Sequence, residues 1–167
     1  DIRVGSHWVR EAVARALWLP EGRTADVETL HAALVDRRVP ARPDCPGMRA
    51  LEALSSMRTR VTKQSAESFI LSMAHGHEDL LATLVLARIA GLYRPDDGFA
   101  EVSVVPLFET LDDLERCPRE LDSAFADPVY RTYLGRGPSR PFDAVVIDEA
   151  SMLMPPLVYY AAGLGTD

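Results

Sequence analysis

At 167 residues, 47% of them hydrophobic and 26% charged, the chain has the size and composition of one globular domain with a real core. Its net charge of −7 excludes a general nucleic-acid or membrane-surface binder, since both need a basic face. Its 2 cysteines, Cys45 and Cys117, form no Cys-x-x-Cys pair, which excludes that class of zinc site and fits a reduced, cytoplasmic setting. No run approaches the length of a membrane span and no signal peptide is recognisable. The start at Asp1 and the end at Gly165-Thr166-Asp167 suggest a piece of something longer.

Asp1 to Val4 reads as the tail of a strand. Ser6 is placed to cap a helix from about His7 to Leu19, whose apolar residues Trp8, Val9, Ala12, Val13, Ala16 and Leu17 recur at helical spacing. Pro20-Glu21-Gly22 ends it. A second helix is expected over Asp26–Arg37 with Asp26 as N-cap, then a proline-rich loop from Pro40 to Gly47, then a helix from Met48 to about Val61. Ser68–Ala74 reads as a buried strand, His75-Gly76-His77 as a turn, and Glu78 and Asp79 as the acidic start of a helix that Gly91 stops. Tyr93–Gly98 reads as a polar loop. The β-branched run Val102–Leu107 is a strand ending near Glu109. Short helices are expected at 110–116, 118–126 and 128–134. Residues 68–107 thus form a strand–helix–strand unit, which implies parallel pairing.

The character changes at Gly135–Pro141, whose glycines, prolines and arginines read as a linker in which Arg136 and Arg140 are solvated. Phe142–Ser151 is an apolar strand ending in Asp148 and Glu149, and Pro155–Leu164 suits a helix. The expected class is therefore α/β and mainly helical, with a few parallel strands and a short strand–helix tail.

From the residues alone, Glu109 is one acidic side chain where a strand gives way to a loop, which reads most simply as a solvated loop residue or a helix cap. His75-x-His77 with Glu78 and Asp79 has a spacing that could hold a metal, but a strand-to-helix loop explains it more simply. His7 and His31 show no partners. No Gly-x-Ser-x-Gly elbow occurs, and Cys117, before Pro118 in an expected helix break, reads as structural rather than nucleophilic.

Several segments resemble consecutive pieces of the phosphoenolpyruvate carboxylase family. Asp1-Ile2-Arg3 followed by Ser6 is similar to its Asp-Ile-Arg-Gln-Glu-Ser strand end. Phe69-Ile-Leu-Ser-Met73 with Asp79-Leu-Leu81 resembles its Tyr-Ile-Ile-Ser-Met strand and the helix beyond. Val104-Val-Pro-Leu-Phe-Glu-Thr-Leu-Asp-Asp-Leu114 resembles the next strand and loop, and Asp127-Pro-Val-Tyr-Arg131 a later helix. The order is right throughout residues 1–134, which the resemblance casts as an internal fragment of a (β/α) barrel. It implies that Glu109 is a ligand of Mg²⁺ or Mn²⁺ and that Arg3 meets the anionic groups of phosphoenolpyruvate. The implied reaction joins phosphoenolpyruvate and bicarbonate to give oxaloacetate and phosphate, a carbon dioxide fixation that feeds the tricarboxylic acid cycle, in an enzyme that is a homo-oligomer at full length.

The departures are specific. Val4 and Gly5 stand where the family has Gln-Glu. The Gly-Tyr-Ser-Asp segment with the second metal carboxylate, the Thr-Ala-His-Pro-Thr-Glu segment with the catalytic histidine, and the Gly-Arg-Gly-Gly loop have no counterpart. The chain alone is therefore expected to be inactive.

Val145-Val-Ile-Asp148-Glu149-Ala-Ser151 resembles instead a Walker B element of a superfamily 1 helicase, which would make Asp148 and Glu149 an ATPase pair and bring in ATP and nucleic acid. The phosphate-binding Gly-x-x-x-x-Gly-Lys-Ser/Thr loop that this chemistry requires is absent. The sequence thus divides into a carboxylase-like part (1–134), a linker (135–141) and a helicase-like tail (142–167), joined by a genuine fusion, as a degenerate remnant or by a joining artefact in the underlying DNA, with part of a helicase ATPase or a non-catalytic module as the other readings of the chain.

Overall fold

The computed structural model describes residues 2–61, 68–96 and 99–135. The tail, with Asp148 and Glu149, lies outside them. The architecture is α/β and mainly helical, as the sequence implies. In chain order the elements are β1 (Ile2–Gly5), α1 (Ser6–Ala16), α2 (Val27–Val35), α3 (Pro46–Arg60), β2 (Ser68–Ser72), α4 (His77–Ile89), β3 (Tyr93–Arg94), β4 (Phe99–Ala100), β5 (Ser103–Pro106), α5 (Leu111–Ala126) and α6 (Pro128–Leu134).

The sheet has the order β1-β2-β5, parallel throughout. Its register aligns Arg3 with Ile70 and Ile70 with Val105. Side chains alternate across a strand, so the buried Phe69, Leu71 and Val104 face the helices and the Ile70 row faces the other way. Among the described residues β1 and β5 each pair on one side only. No helix of the described residues is long and apolar enough to cross a membrane.

The centre of the core is α4. Leu80, Leu81, Leu84, Val85 and Leu86 are all buried, leaving the helix without an exposed apolar-free face, and it packs against α1, α2, α3 and α5. Even its one internal arginine is enclosed. Arg88 is 6% exposed and donates to the carbonyl of Ala33 (2.6 Å) and to that of Asp36. These are carbonyls at the C-terminal end of α2, which have no partners within the helix. That explains why α2 stops at Val35, short of the expected Arg37.

Other boundaries also differ from expectation. Ser6 is not the cap of α1. Gly5 holds that position, and the Ser6 hydroxyl donates to the Met73 carbonyl (2.5 Å), tying α1 to the loop after β2. Helix α1 ends at Ala16, before the Pro-Glu-Gly, because Trp18 takes a left-handed φ of 56°. Helix α3 starts at Pro46, a residue suited to the first helical turn. Asp26 caps α2 as expected, accepting from the Thr29 N–H (2.9 Å). The stretch expected as a polar loop, 93–98, instead contributes to an antiparallel ribbon of β3 and β4. Buried Tyr93 anchors it by an edge-on contact with Tyr133 (5.6 Å between ring centres), and Arg94 lies 4.1 Å over the Phe99 ring.

The expected break at Pro118 does not occur, and α5 runs through it. A proline removes one backbone donor and crowds the preceding turn, at about 3 kcal/mol in a helix interior. Here a capping box fixes the helix start: the Thr110 hydroxyl accepts from the Asp113 N–H (3.1 Å), and the Asp113 carboxylate accepts from the Thr110 N–H (3.4 Å). Packing of the same helix on α4 and α6 carries it past the proline.

Tyr133 on α6 stitches that helix to the sheet. Its hydroxyl donates to the Val102 carbonyl and accepts from the Val104 N–H, both at 2.8 Å, in a buried setting that pushes its pKa up to about 12. Tyr133→Phe leaves both backbone groups unpaired and is expected to cost about 2 kcal/mol, read as a lower thermal midpoint by circular dichroism.

A candidate active site where parallel strands end

In a barrel of parallel strands the C-terminal strand ends carry the chemistry. Here Arg3 belongs to β1, Met73 follows β2 and Glu109 follows β5. The three meet. The Arg3 guanidinium donates to Glu109 Oε1, across 106 residues of sequence, and the Met73 N–H donates to Glu109 Oε2 (2.9 Å). Each carboxylate oxygen of Glu109 is thus engaged by a different donor, one within β1 and one just past the end of β2. Met73 reaches this position with φ at 55°, a left-handed conformation costly for a residue with a Cβ, and its carbonyl is pinned by Ser6. Parallel register does the rest: Leu107 donates to Leu71 (2.9 Å) and Ala74 to Leu107 (3.0 Å), so the loops leaving β2 and β5 stay side by side.

Arg3 and Glu109 are partly exposed, with 57% and 29% of their side chains accessible. A pair this wet contributes little stability, under about 1 kcal/mol. It sets one guanidinium and one carboxylate side by side, both reachable from solvent. The site suits a divalent metal to this extent: Glu109 offers hard oxygen atoms, and one of them already holds a positive group.

The sequence cluster His75, His77, Glu78 and Asp79 is divided by the fold. Asp79, 3% exposed, accepts from the His75 N–H (2.9 Å) and pairs with Arg10 (3.2 Å); burial pushes its pKa up. The His75 ring turns to Asp113 (3.0 Å), which also holds Arg116 (2.7 Å). His77 and Glu78 face Glu120 of α5 instead. His31, partnerless by sequence, lies 2.6 Å from Asp127. Cys117 sits inside a continuous helix, and burial pushes its thiol up to about 11, so it is no nucleophile at neutral pH.

Sequence reading missed Asp127 as a structural centre. It caps α6, accepting from the N–H groups of Val129 (2.8 Å) and Tyr130 (2.9 Å). The Asp-Pro dipeptide ahead of a helical pattern was the available signal; nothing local signals His31, 96 positions away. Burial alone would raise the Asp127 pKa, but the Tyr130 N–H and His31 outweigh it and hold it below the usual carboxylate range. A carboxylate lowered in the folded state stabilises the fold above its unfolded pKa, about 4, and that stability is lost as the pH falls through the lower folded value. Asp127→Asn keeps the capping oxygen and removes the charge. It is expected to flatten the acid limb below about pH 4 in stability measurements made by urea titration at stepped pH.

Comparison with known proteins decides the family. The profile of phosphoenolpyruvate carboxylase matches residues 34–141. The chain belongs to the phosphoenolpyruvate carboxylase family. It is similar to the phosphoenolpyruvate carboxylase of Thermus sp. (strain 71), 39% identical over 148 residues, covering 82% of this chain and 17% of that protein. The enzyme of Xanthomonas euvesicatoria pv. vesicatoria (strain 85-10) is 37% identical over 142 residues, covering 80% of this chain and 16% of that one. That of Synechococcus sp. (strain WH7803) is 45% identical over 69 residues, 41% of this chain and 7% of that protein. The chain thus spans between 7% and 17% of the length of these relatives. These matches are to carboxylases; the helicase resemblance of 142–167 is not borne out.

Proposed function

We propose that residues 1–134 are a segment of a phosphoenolpyruvate carboxylase (β/α) barrel, followed by a linker at 135–141, and that Arg3 and Glu109 belong to its active site. The observation that carries this reading is the convergence of Arg3 of β1 and Glu109 beyond β5, on either side of β2, with the Met73 N–H between them. The complete enzyme would join phosphoenolpyruvate and bicarbonate into oxaloacetate and phosphate. It would do so as a cytoplasmic homo-oligomer with Mg²⁺ or Mn²⁺.

Arg3 presents a planar fork that matches a phosphate or carboxylate in two-point contact. When an anionic substrate arrives, Arg3 exchanges Glu109 for the substrate oxygens, and Glu109 becomes available to a cation while Met73 still orients it. Bound there, the metal would stabilise negative charge on the substrate's enolate and phosphate oxygens. The family's second metal carboxylate and catalytic histidine have no counterpart in the sequence. The 167-residue chain is therefore expected to bind phosphoenolpyruvate weakly and to turn none of it over. A malate dehydrogenase-coupled assay for oxaloacetate tests this: the expected trace matches the blank, and a rate above it contradicts the reading of the chain as an incomplete site. Binding that is indifferent to both metal and Glu109 would favour a non-catalytic scaffold instead.

A further inference from the structure

A second group of side chains able to ligate a metal involves neither Arg3 nor Glu109. His77 and Glu78 open α4, and Glu120 reaches them from the middle of α5. One ligand atom from each lies within 4.8 Å of the others. We propose that His77, Glu78 and Glu120 form a binding site for a divalent transition-metal cation of the zinc type, clamping α4 to α5.

The donor set supports this first. One imidazole and two carboxylates suit zinc and its neighbours, whereas Mg²⁺ and Ca²⁺ favour oxygen alone. Tetrahedral zinc with ligand bonds of about 2.1 Å sets its donor atoms about 3.4 Å apart. The atoms here need to close by little more than an ångström, and Glu78, half exposed, is free to make that movement.

The packing around the group points the same way. Glu78 Oε2 and Glu120 Oε2 both crowd Gly76: a Cβ there would lie 2.8 and 2.9 Å from them. Two carboxylate oxygens of like charge therefore converge over the open face of Gly76. Glu120 is mostly enclosed, with 15% of its side chain exposed, and Arg119 takes its Oε1 (3.0 Å), not the oxygen turned toward Gly76. The imidazole is backed as well. His77 Nδ1 faces Glu78 (3.8 Å), while Nε2 faces the Asp127 carboxylate (3.8 Å), itself held by His31. At 3.8 Å the Asp127 contact is an electrostatic one rather than a hydrogen bond, and it favours the ring orientation that turns Nδ1 toward Glu78. The adjoining cavity of about 410 Å³ has Asp26, Glu78, Asp79 and Glu120 in its wall against Arg10 and Arg116, a negative balance that favours a cation. Asp79 and Asp113 are already committed to arginine and His75, which leaves three protein donors and a fourth position open to water.

The site stands apart from Arg3 and Glu109, so it is tested on its own. The purified chain is titrated with Zn²⁺ against a chromophoric chelator, and the imidazole resonances of its 4 histidines are followed by nuclear magnetic resonance. One equivalent is expected to bind and to shift His77. His77→Gln and Glu120→Gln are each expected to weaken binding by about tenfold or more, with circular dichroism checking that both variants fold. Glu52→Gln, at a carboxylate that pairs with Arg42 and takes part in neither site, is expected to leave it unchanged. Binding that survives both substitutions, or an unshifted His77 in the wild-type chain at saturating Zn²⁺, would overturn the proposal.

Discussion

Glu109→Ala is expected to lower metal-dependent phosphoenolpyruvate binding by about a hundredfold while barely changing stability. The two effects separate because the residue serves two different balances. As a partly exposed ion pair with Arg3 it contributes under about 1 kcal/mol to the fold. As the carboxylate that would hold a cation against an anionic substrate, it would supply an interaction of about 3 kcal/mol, the order of one preorganised electrostatic contact in an active site. Arg3→Ala should weaken substrate binding comparably, but it leaves the carboxylate in place, so cation binding without substrate should hold or improve. Isothermal titration with Mn²⁺, with phosphoenolpyruvate and with both distinguishes the two variants. Equal loss of stability and binding would mean that Glu109 matters only as a structural tether for Met73.

Arg88→Ala is expected to be the most destabilising single change outside the apolar core, by about 3 kcal/mol. The guanidinium is enclosed and spends its donors on the carbonyls of Ala33 and Asp36. Truncation removes two charge-assisted hydrogen bonds and leaves the carbonyl of the buried Ala33 unpaired, a cost of about 1–3 kcal/mol. It also empties a volume the size of an arginine stem between α2 and α4, whose lost packing adds to the cost. Arg88→Met fills that volume without the donors and should recover part of the loss. Urea denaturation of the two variants beside the wild type measures the split: an Arg88→Met protein as stable as wild type would show that packing, not hydrogen bonding, is the role of this side chain.

The parts of the fold that were legible in sequence are those encoded locally. Ser68–Ser72 and Ser103–Pro106 are short apolar runs flanking a long helical pattern, and they pair in parallel as that order demands. Asp26 caps α2 because a short acidic side chain sits one residue before a helical run. Reading failed where a distant partner decides. Pro118 looked like a break because its local cost is real, yet a capping box and two packed helices override it. The β3–β4 ribbon is too short to show a period; Tyr133, far along the chain, gives Tyr93 its reason to be buried. Arg88 could not be foreseen, since an arginine in the last turn of a helix ordinarily faces water.

The candidate site divides in the same way. Glu109 at a strand end and Arg3 beside another were visible as types in position, and the family resemblance gave them roles. Their contact, 106 residues apart, was not visible, because it depends on β2 lying between β1 and β5. The histidine cluster misled for the converse reason. Adjacent in sequence, His75 and His77 sit on either side of a helix start and turn to different carboxylates, while Glu120 joins from a helix that no spacing connects to them.

The most direct test of the central claim transplants the segment. Residues 1–134 replace the corresponding stretch of the phosphoenolpyruvate carboxylase of Thermus sp. (strain 71), a relative 39% identical to this chain, and the purified chimera is assayed for oxaloacetate formation with and without Glu109→Ala. Activity in the chimera that disappears with Glu109→Ala is the expected result. A folded chimera whose activity is indifferent to Glu109, or one with none at all, would contradict the placement of these residues in a carboxylase active site.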